Sequence, residues 1–237
     1  MRKILITNDD GIDADGIVRL ARAAKKFGEV YVVAPESQRS AASHSITLRH
    51  SIIAREYDFP VEGVKAYACD GTPGDCVRIG TLNIVPGGAD VIMSGINYGY
   101  NVGTDLQYSA TVGAAFEAAF RGIHAIAFSE DFSDCHETTD RYLEELMEEA
   151  LNKPLQKNYI WNINFSGCKL AECKGVLRDC KVSNDVFYED SYDETHIDGK
   201  IEYMINGKRN WEAEEGTDLR AILDNYVSVG KVSNIGC

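Results

Sequence analysis

The chain has 237 residues, 44% of them hydrophobic, and a formal net charge of −13. That is enough apolar content for one large α/β domain, or one with an appendage, and too much for a disordered chain. The acidity opposes binding to nucleic-acid polymers and to anionic membrane surfaces, but not to a small anion served by a bound metal or by helix N-termini.

Residues 3–7 form the first predicted strand, followed by an amphipathic helix over 13–27 with Ile17, Leu20, Ala21 and Ala24 at helical spacing and Gly28 closing it. A second strand covers 30–34 and ends at Pro35. Between 45 and 68 the alternation weakens into hairpin or edge strands, and Thr72-Pro73 starts a helix with Thr72 as N-cap. A strand over 89–93 leads into an irregular Gly/Asn/Tyr segment up to Tyr108, then come a small-residue helix over 110–120, a strand over 124–128, a carboxylate-rich helix over 137–151 and a strand over 159–165. This alternation predicts βαβ units and a parallel sheet. After residue 166 charged and aromatic residues intermix without helical period, which predicts an antiparallel extension, closed by a helix over 217–223 and a strand over 226–232. The division expected is a catalytic α/β domain over 1–165 and a C-terminal extension over 166–237.

The N-terminus turns polar at Asn8 before a signal-peptide core forms, and no apolar run reaches membrane-spanning length. Seven cysteines (Cys69, Cys76, Cys135, Cys168, Cys173, Cys180 and Cys237) include no CxxC pair. Cys168, Cys173 and Cys180 match no zinc spacing, so a reduced, cytoplasmic protein with buried or idle thiols is expected.

Ligands of parallel sheets bind at the carboxyl ends of the strands, and three post-strand loops stand out. Thr7-Asn8-Asp9-Asp10-Gly11 sets two carboxylates side by side; a hard divalent cation relieves their repulsion, whereas a helix cap at Asp10 or Asp13 would use only one carboxylate. The loop 34–45 carries Ser37, Ser40, Ser43, Ser45, Arg39 and His44, a set that an ordinary solvated loop also offers. The segment from Ser94 to Gly113 has glycines for tight turns, with Ser109 and Thr111 where a helix N-terminus would present N–H groups to a phosphate or simply form an N-cap box. Neither GxxxxGK[ST], GxGxxG after the first strand, nor GxSxG is present, which disfavours P-loop, dehydrogenase and serine-triad readings.

At these loops the sequence resembles the SurE family, stationary-phase survival proteins that act as 5′-nucleotidases. The resemblance lies in Ile6-Thr7-Asn8-Asp9-Asp10-Gly11-Ile12, Val33-Ala34-Pro35 through Arg39-Ser40 to His44-Ser45-Ile46-Thr47, Gly71-Thr72-Pro73-Gly74-Asp75-Cys76-Val77, Ser94-Gly95-Ile96-Asn97 with Gly99, Asn101 and Gly103, and the late Glu215-Gly216-Thr217-Asp218 and Tyr226-Val227-Ser228-Val229. It implies a Rossmann-like α/β fold with a β-rich C-terminal arm exchanged in a homodimer or homotetramer. It further implies one divalent cation per subunit, Mg²⁺ or Mn²⁺, held by Asp9, Asp10, Ser40 and Asn97, and a phosphate site lined by Asn8, Asn101, Ser109 and Thr111. Nucleoside monophosphates are the implied substrates, with 3′-nucleotides and short polyphosphate as further ones. The catalytic set expected is Asp9, to orient water, Asn8, and His44, to protonate the leaving oxygen unless it merely bonds backbone. A nucleotide-binding regulatory module without turnover is the competing reading. Two departures from the family pattern are Ala41 and Ala110 where glycine is common, tolerable unless either position needs a positive φ. The acidic stretch 181–194 does not align.

Overall fold

In the computed structural model, which describes residues 1–235, five of the six parallel-type segments follow from buried β-branched or apolar runs, and the sheet they build is nine-stranded. The strands are β1 (Lys3–Thr7), β2 (Glu29–Pro35), β3 (Ala54–Tyr57), β4 (Lys65–Cys69), β5 (Val91–Tyr98), β6 (His124–Glu130), β7 (Ile160–Phe165), β8 (Val176–Arg178) and, after four short strands, β13 (Val227–Val232). Their order is β3-β4-β2-β1-β5-β6-β7-β13-β8. Neighbours from β4 to β7 are parallel, while β3 runs antiparallel to β4 and β13 antiparallel to β7.

Both faces are covered. Side chains alternate across a strand, so Met93, Ile126 and Phe128 join Ile17 and Leu20 of α1 (Asp15–Ala24) and Leu143 and Leu146 of α4 (Glu137–Asn152) on one side. Ile92, Ala125 and Ala127 join Val77 of α2 (Pro73–Ile79) and Val112 and Phe116 of α3 (Ala110–Phe120) on the other. The chain leaves β1 toward β2 and β4 and returns on the opposite flank at β5, which makes β1/β5 the switch point where such sheets open a crevice.

Several boundaries differ from expectation. Helix α1 starts at Asp15 with Ala14 at its N-cap and no side-chain cap bond, so neither Asp10 nor Asp13 caps it; Asp13 instead accepts from the Tyr57 hydroxyl. The helix ends at Ala24, before Phe27, and a Cβ at Gly28 would run into the Arg2 carbonyl. Strand β5 continues to Tyr98 through the segment expected to be irregular, because a register shift between Ser94 and Asn97 lets it keep pairing with β6. Helix α2 has the expected Thr72 cap, closed into a reciprocal box by Asp75.

Beyond residue 165 the chain adds β8 and β13 to the main sheet and forms β9 (Tyr188–Glu189), β10 (Tyr192–Ile197), β11 (Lys200–Ile205) and β12 (Lys208–Arg209) outside it, with α5 (Asp218–Leu223) capped by Thr217. Strands β10 and β11 form an antiparallel hairpin exposed throughout. Among the described residues no helix is long and apolar enough to cross a membrane. Cys69, Cys76, Cys135, Cys168, Cys173 and Cys180 are free thiols, and Cys237 lies outside the described residues.

Candidate functional site

The crevice at β1/β5 is assembled from the loop after β1, the loop after β2, the end of β5 and the start of α3. Direct bonds tie these together: Arg39 N–H donates to the Asp9 carbonyl at 2.7 Å, Tyr98 N–H to Asp10 Oδ2 at 3.0 Å, and the Thr111 hydroxyl to Asp9 Oδ1. The loop after β2 is pinned to the turn before α3 by Ser43, whose N–H reaches the Tyr108 carbonyl at 3.0 Å and whose hydroxyl reaches the Gln107 carbonyl at 2.7 Å. Its path depends on Gly113, where a Cβ would lie 2.6 Å from the Ser43 carbonyl oxygen.

Asp9 is 4% exposed, and burial pushes its carboxyl up to about 6, with Thr111 opposing the shift and the neighbouring Asp10 adding to it. Burial likewise raises Asp10, against the Tyr98 N–H and Gln38, with Glu130 adding to the rise. Two desolvated carboxylates sit side by side, and no Lys, Arg or His forms an ion pair with either among the described residues. A buried carboxylate beside a half-buried one, with no basic partner for either among the described residues, is costly and marks a place for a cation.

The other candidate ligands lie on the same rim. Asn97 donates Nδ2 to the Gly99 carbonyl at 2.7 Å, which turns its oxygen away from that bond, and the exposed Ser40 receives Gln38 Nε2 at 2.9 Å. Among the described residues no group of three His, Cys, Asp or Glu side chains is gathered that would hold a metal. The donors on offer are two carboxylates, a hydroxyl and an amide oxygen, all hard, a set that suits Mg²⁺ or Mn²⁺ and not a thiolate-bound metal. Asn8 adds a further sign: it is buried, its Nδ2 donates to the Gly11 carbonyl at 2.7 Å, and its Oδ1 has no partner.

Ser109 caps α3 through Val112 N–H at 3.1 Å, and both the hydroxyl and the backbone N–H of Thr111 face the Asp9 carboxylate. Asn101 is buried and donates to Ser129 Oγ at 2.7 Å. Its backbone is clasped from both sides: its N–H donates to Asn164 Oδ1 at 2.8 Å, and its carbonyl accepts from Asn162 at 2.9 Å and Asn164 at 3.2 Å. This clasp was not anticipated. Its signal is two asparagines at alternate positions of the wholly buried Ile-Trp-Asn-Ile-Asn-Phe strand β7.

His44 stands apart. Its Nε2 lies 2.9 Å from Glu117 Oε2 on α3, and its ring packs against Phe120 at 5.4 Å. No bond joins it to Asp9, Thr111 or Asn101 among the described residues. Nor did the residue pattern single out the buried Glu130, which receives Arg19 Nη1 and the Thr139 hydroxyl, each at 2.7 Å, beside Asp10.

Fold and site together define an α/β protein whose mainly parallel sheet opens, at its switch point, onto a carboxylate pair and a helix N-terminus suited to a cation and an anion. The chain belongs to the SurE family: the model of Survival protein SurE matches residues 4–187. A 5′-nucleotidase SurE of Clostridium botulinum is 37% identical over 230 residues, spanning 95% of this chain and 90% of that protein. A 5′-nucleotidase SurE of Thermoanaerobacter sp. is 39% identical over 232 residues, spanning 96% and 90%. The crystal structure of the SurE protein from Aquifex aeolicus superposes with a TM-score of 0.83 at 33% identity, covering 98% of this chain and 93% of that one.

Proposed function

We propose that this chain is a phosphoric monoester hydrolase that converts nucleoside monophosphates to nucleoside and inorganic phosphate with the help of one divalent cation per subunit. The observation that carries the reading is the buried Asp9 beside the half-buried Asp10, neither with a basic partner among the described residues, set against the first turn of α3. Relatives named 5′-nucleotidase along nine-tenths of their length support the substrate class. Asp9, Asp10, Ser40 and Asn97 hold the cation, Mg²⁺ or Mn²⁺, which when bound supplies charge stabilisation to the phosphoryl oxygens. Asn8, Asn101, Ser109 and Thr111 line the phosphate, with the N–H groups at the start of α3 and the Asn8 and Asn101 amides as preorganised donors.

Asp9 orients the attacking water. As the new oxygen–phosphorus bond forms, one hydrogen of the water stays on the new phosphate oxygen and the other passes to the Asp9 carboxylate, while the bond to the ribose oxygen breaks and that oxygen takes up a proton. His44 is the donor in this reading, through Nδ1, since Nε2 is engaged by Glu117. The enzyme works in the cytoplasm, in keeping with six free thiols among the described residues. Residues 1–165 form the catalytic unit and 166–237 the arm that pairs copies into a dimer or tetramer; the exposed hairpin, with Ile201 51%, Tyr203 60% and Met204 70% exposed, supports the latter.

The test is phosphate release from 5′- and 3′-nucleoside monophosphates and short polyphosphate, after chelation and again after adding Mg²⁺ or Mn²⁺. Release from 5′-nucleotides restored by metal is expected, with slower release from the other two classes. Nucleotide binding without release under any metal would favour the regulatory module.

A further inference from the structure

We propose that the cleft beside Asp10 receives the nucleoside half of the substrate, with the base laid against Tyr98 and Phe132. This rests on the reading above and adds to it where the uncharged part of the molecule goes. The cleft measures about 330 Å³ and is bounded by the start of α1, Ile96 and Tyr98 of β5, Gln38, Glu130 and His136. That is within the range of small-molecule sites, on the order of 300–1,000 Å³. Asp10 lines it and neighbours Asp9, which receives the Thr111 hydroxyl, so the cleft adjoins the proposed cation and phosphate sites and offers room for the ester substituent.

Two features suit the cleft to a nucleoside. The first is an aromatic platform. Tyr98 lines the cleft, and Phe132, just outside the lining, extends its face, the two rings lying 4.4 Å apart and tilted by 45°; they remain 39% and 62% exposed, outside the buried core clusters. Exposed aromatic faces are the groups on which bases stack, whatever the base. The platform is held in register with the site, because Tyr98 N–H is bonded to Asp10 and the next residue, Gly99, donates to the Glu130 carbonyl at 2.9 Å.

The second is the charge and depth of the walls. The floor is the buried Ile96, against which α1 closes so tightly that a Cβ at Gly16 would collide with its carbonyl. Glu130 is saturated by Arg19 and Thr139 and forms a fixed wall. Asp134 and Asp15 line the mouth; Asp15, with a side chain 72% exposed and one oxygen 3.7 Å from Arg19 Nε, keeps acceptor sites open toward ribose hydroxyls, as acidic residues do at other ribose sites. A second aromatic cleft, about 250 Å³ beyond Tyr100 and lined by Phe187, Arg209 and Trp211, contains none of the candidate ligands.

The experiment compares kcat/KM for adenosine 5′-monophosphate with that for glycerol 2-phosphate, which has no base, in the full chain and in Tyr98→Ala, Phe132→Ala and Trp211→Ala, with Mg²⁺ or Mn²⁺ supplied. Adenosine binding is followed in parallel by saturation-transfer NMR. The ratio of the two kcat/KM values is expected to fall about tenfold or more in Tyr98→Ala and Phe132→Ala and to hold in Trp211→Ala. An unchanged ratio in the first two, or a fall confined to Trp211→Ala, overturns the assignment while leaving the hydrolase intact. If the unaltered chain hydrolyses neither ester, the proposed function fails; adenosine binding lost in Tyr98→Ala would then still uphold the cleft, and no adenosine binding would overturn it as well.

Discussion

Strands β7 and β10 are both six residues long and each breaks the ordinary rule for what is buried, in opposite directions. All of β7 is buried, yet it carries Asn162 and Asn164, whose amides clasp the backbone of Asn101. All of β10 and its partner β11 is exposed, yet the hairpin carries Ile197, Ile201, Met204 and Ile205. Burying an amide costs free energy unless its bonds are made, and exposing an aliphatic side chain gains nothing within one chain. The first departure is therefore answered inside the protomer for both atoms of the Asn164 amide and for Asn162 Nδ2, by a loop whose position they hold, while Asn162 Oδ1 has no partner among the described residues. The second has no counterpart within the described residues of the protomer, and it is the observation that supports the proposed pairing role of the hairpin.

The sharpest cut through that comparison is Asp9→Asn, in the loop that follows β1, the strand next to β5. Turnover is expected to fall by about a thousandfold or more, because water and cation lose a carboxylate, while the melting temperature of the metal-free protein holds or rises, since a neutral isostere replaces an unpaired buried charge. Phosphate release and thermal melts decide it; full activity would remove Asp9 from the mechanism.

Asp218 joins the two regions, its carboxylate accepting N–H groups from Ser183 at 2.9 Å, Leu219 at 2.7 Å and Gly103 at 3.2 Å. Burial pushes its carboxyl up to about 6 in spite of them. The folded state thus holds this proton more tightly than the unfolded chain, so the associated stability is present below about pH 4 and is lost as pH rises toward 6. The span is about 3 kcal/mol. Urea unfolding at pH 4 and pH 7 should show a wild-type loss that is smaller by about 3 kcal/mol in Asp218→Asn, the part owed to Asp9 and Asp10 remaining, and the same loss in both proteins would contradict the assignment.

Asn164→Ala strips the Asn101 N–H of its acceptor in a dry environment, at a cost of about 2 kcal/mol, and frees the phosphate-site loop, so activity should fall more than stability alone explains. At the hairpin the same comparison predicts the reverse pattern. Ile201→Lys with Met204→Lys should leave the unfolding free energy of a dilute protomer within about 0.5 kcal/mol of the parent but shift the mass seen by light scattering downward. An unchanged mass would detach the hairpin from assembly.

Much of this was legible in advance for one reason: the α/β half obeys local rules. Apolar runs too short for helices gave the parallel strands, Thr72-Pro73 and Ser109 announced the caps of α2 and α3, and Asn8-Asp9-Asp10 after a buried strand marked the crevice. The parts that were not legible depend on distant partners. Strand β5 outruns its apolar stretch because β6 lies alongside it, the asparagines of β7 have meaning only beside Asn101, and His44 meets Glu117 across 73 residues of sequence. Strand β13, from the far end of the chain, reaches the sheet only by docking on β7.

The smallest expected effect tests a departure visible in the residues themselves. Of the two alanines noted as departures in the family resemblance, Ala110 lies in the first turn of α3, where alanine is at home, but Ala41 has a φ of +56°. A left-handed alanine pays about 1–2 kcal/mol against its Cβ, and glycine would remove that strain while adding about 0.5–1 kcal/mol of unfolded-state entropy. Ala41→Gly should therefore stabilise the chain by less than about 1 kcal/mol, measured by urea unfolding. The residue follows Ser40, so the substitution also asks whether a stiff turn matters to a ligand-bearing loop: stability raised with affinity for Mn²⁺ lowered would mean that alanine at 41 holds Ser40 toward the carboxylate pair.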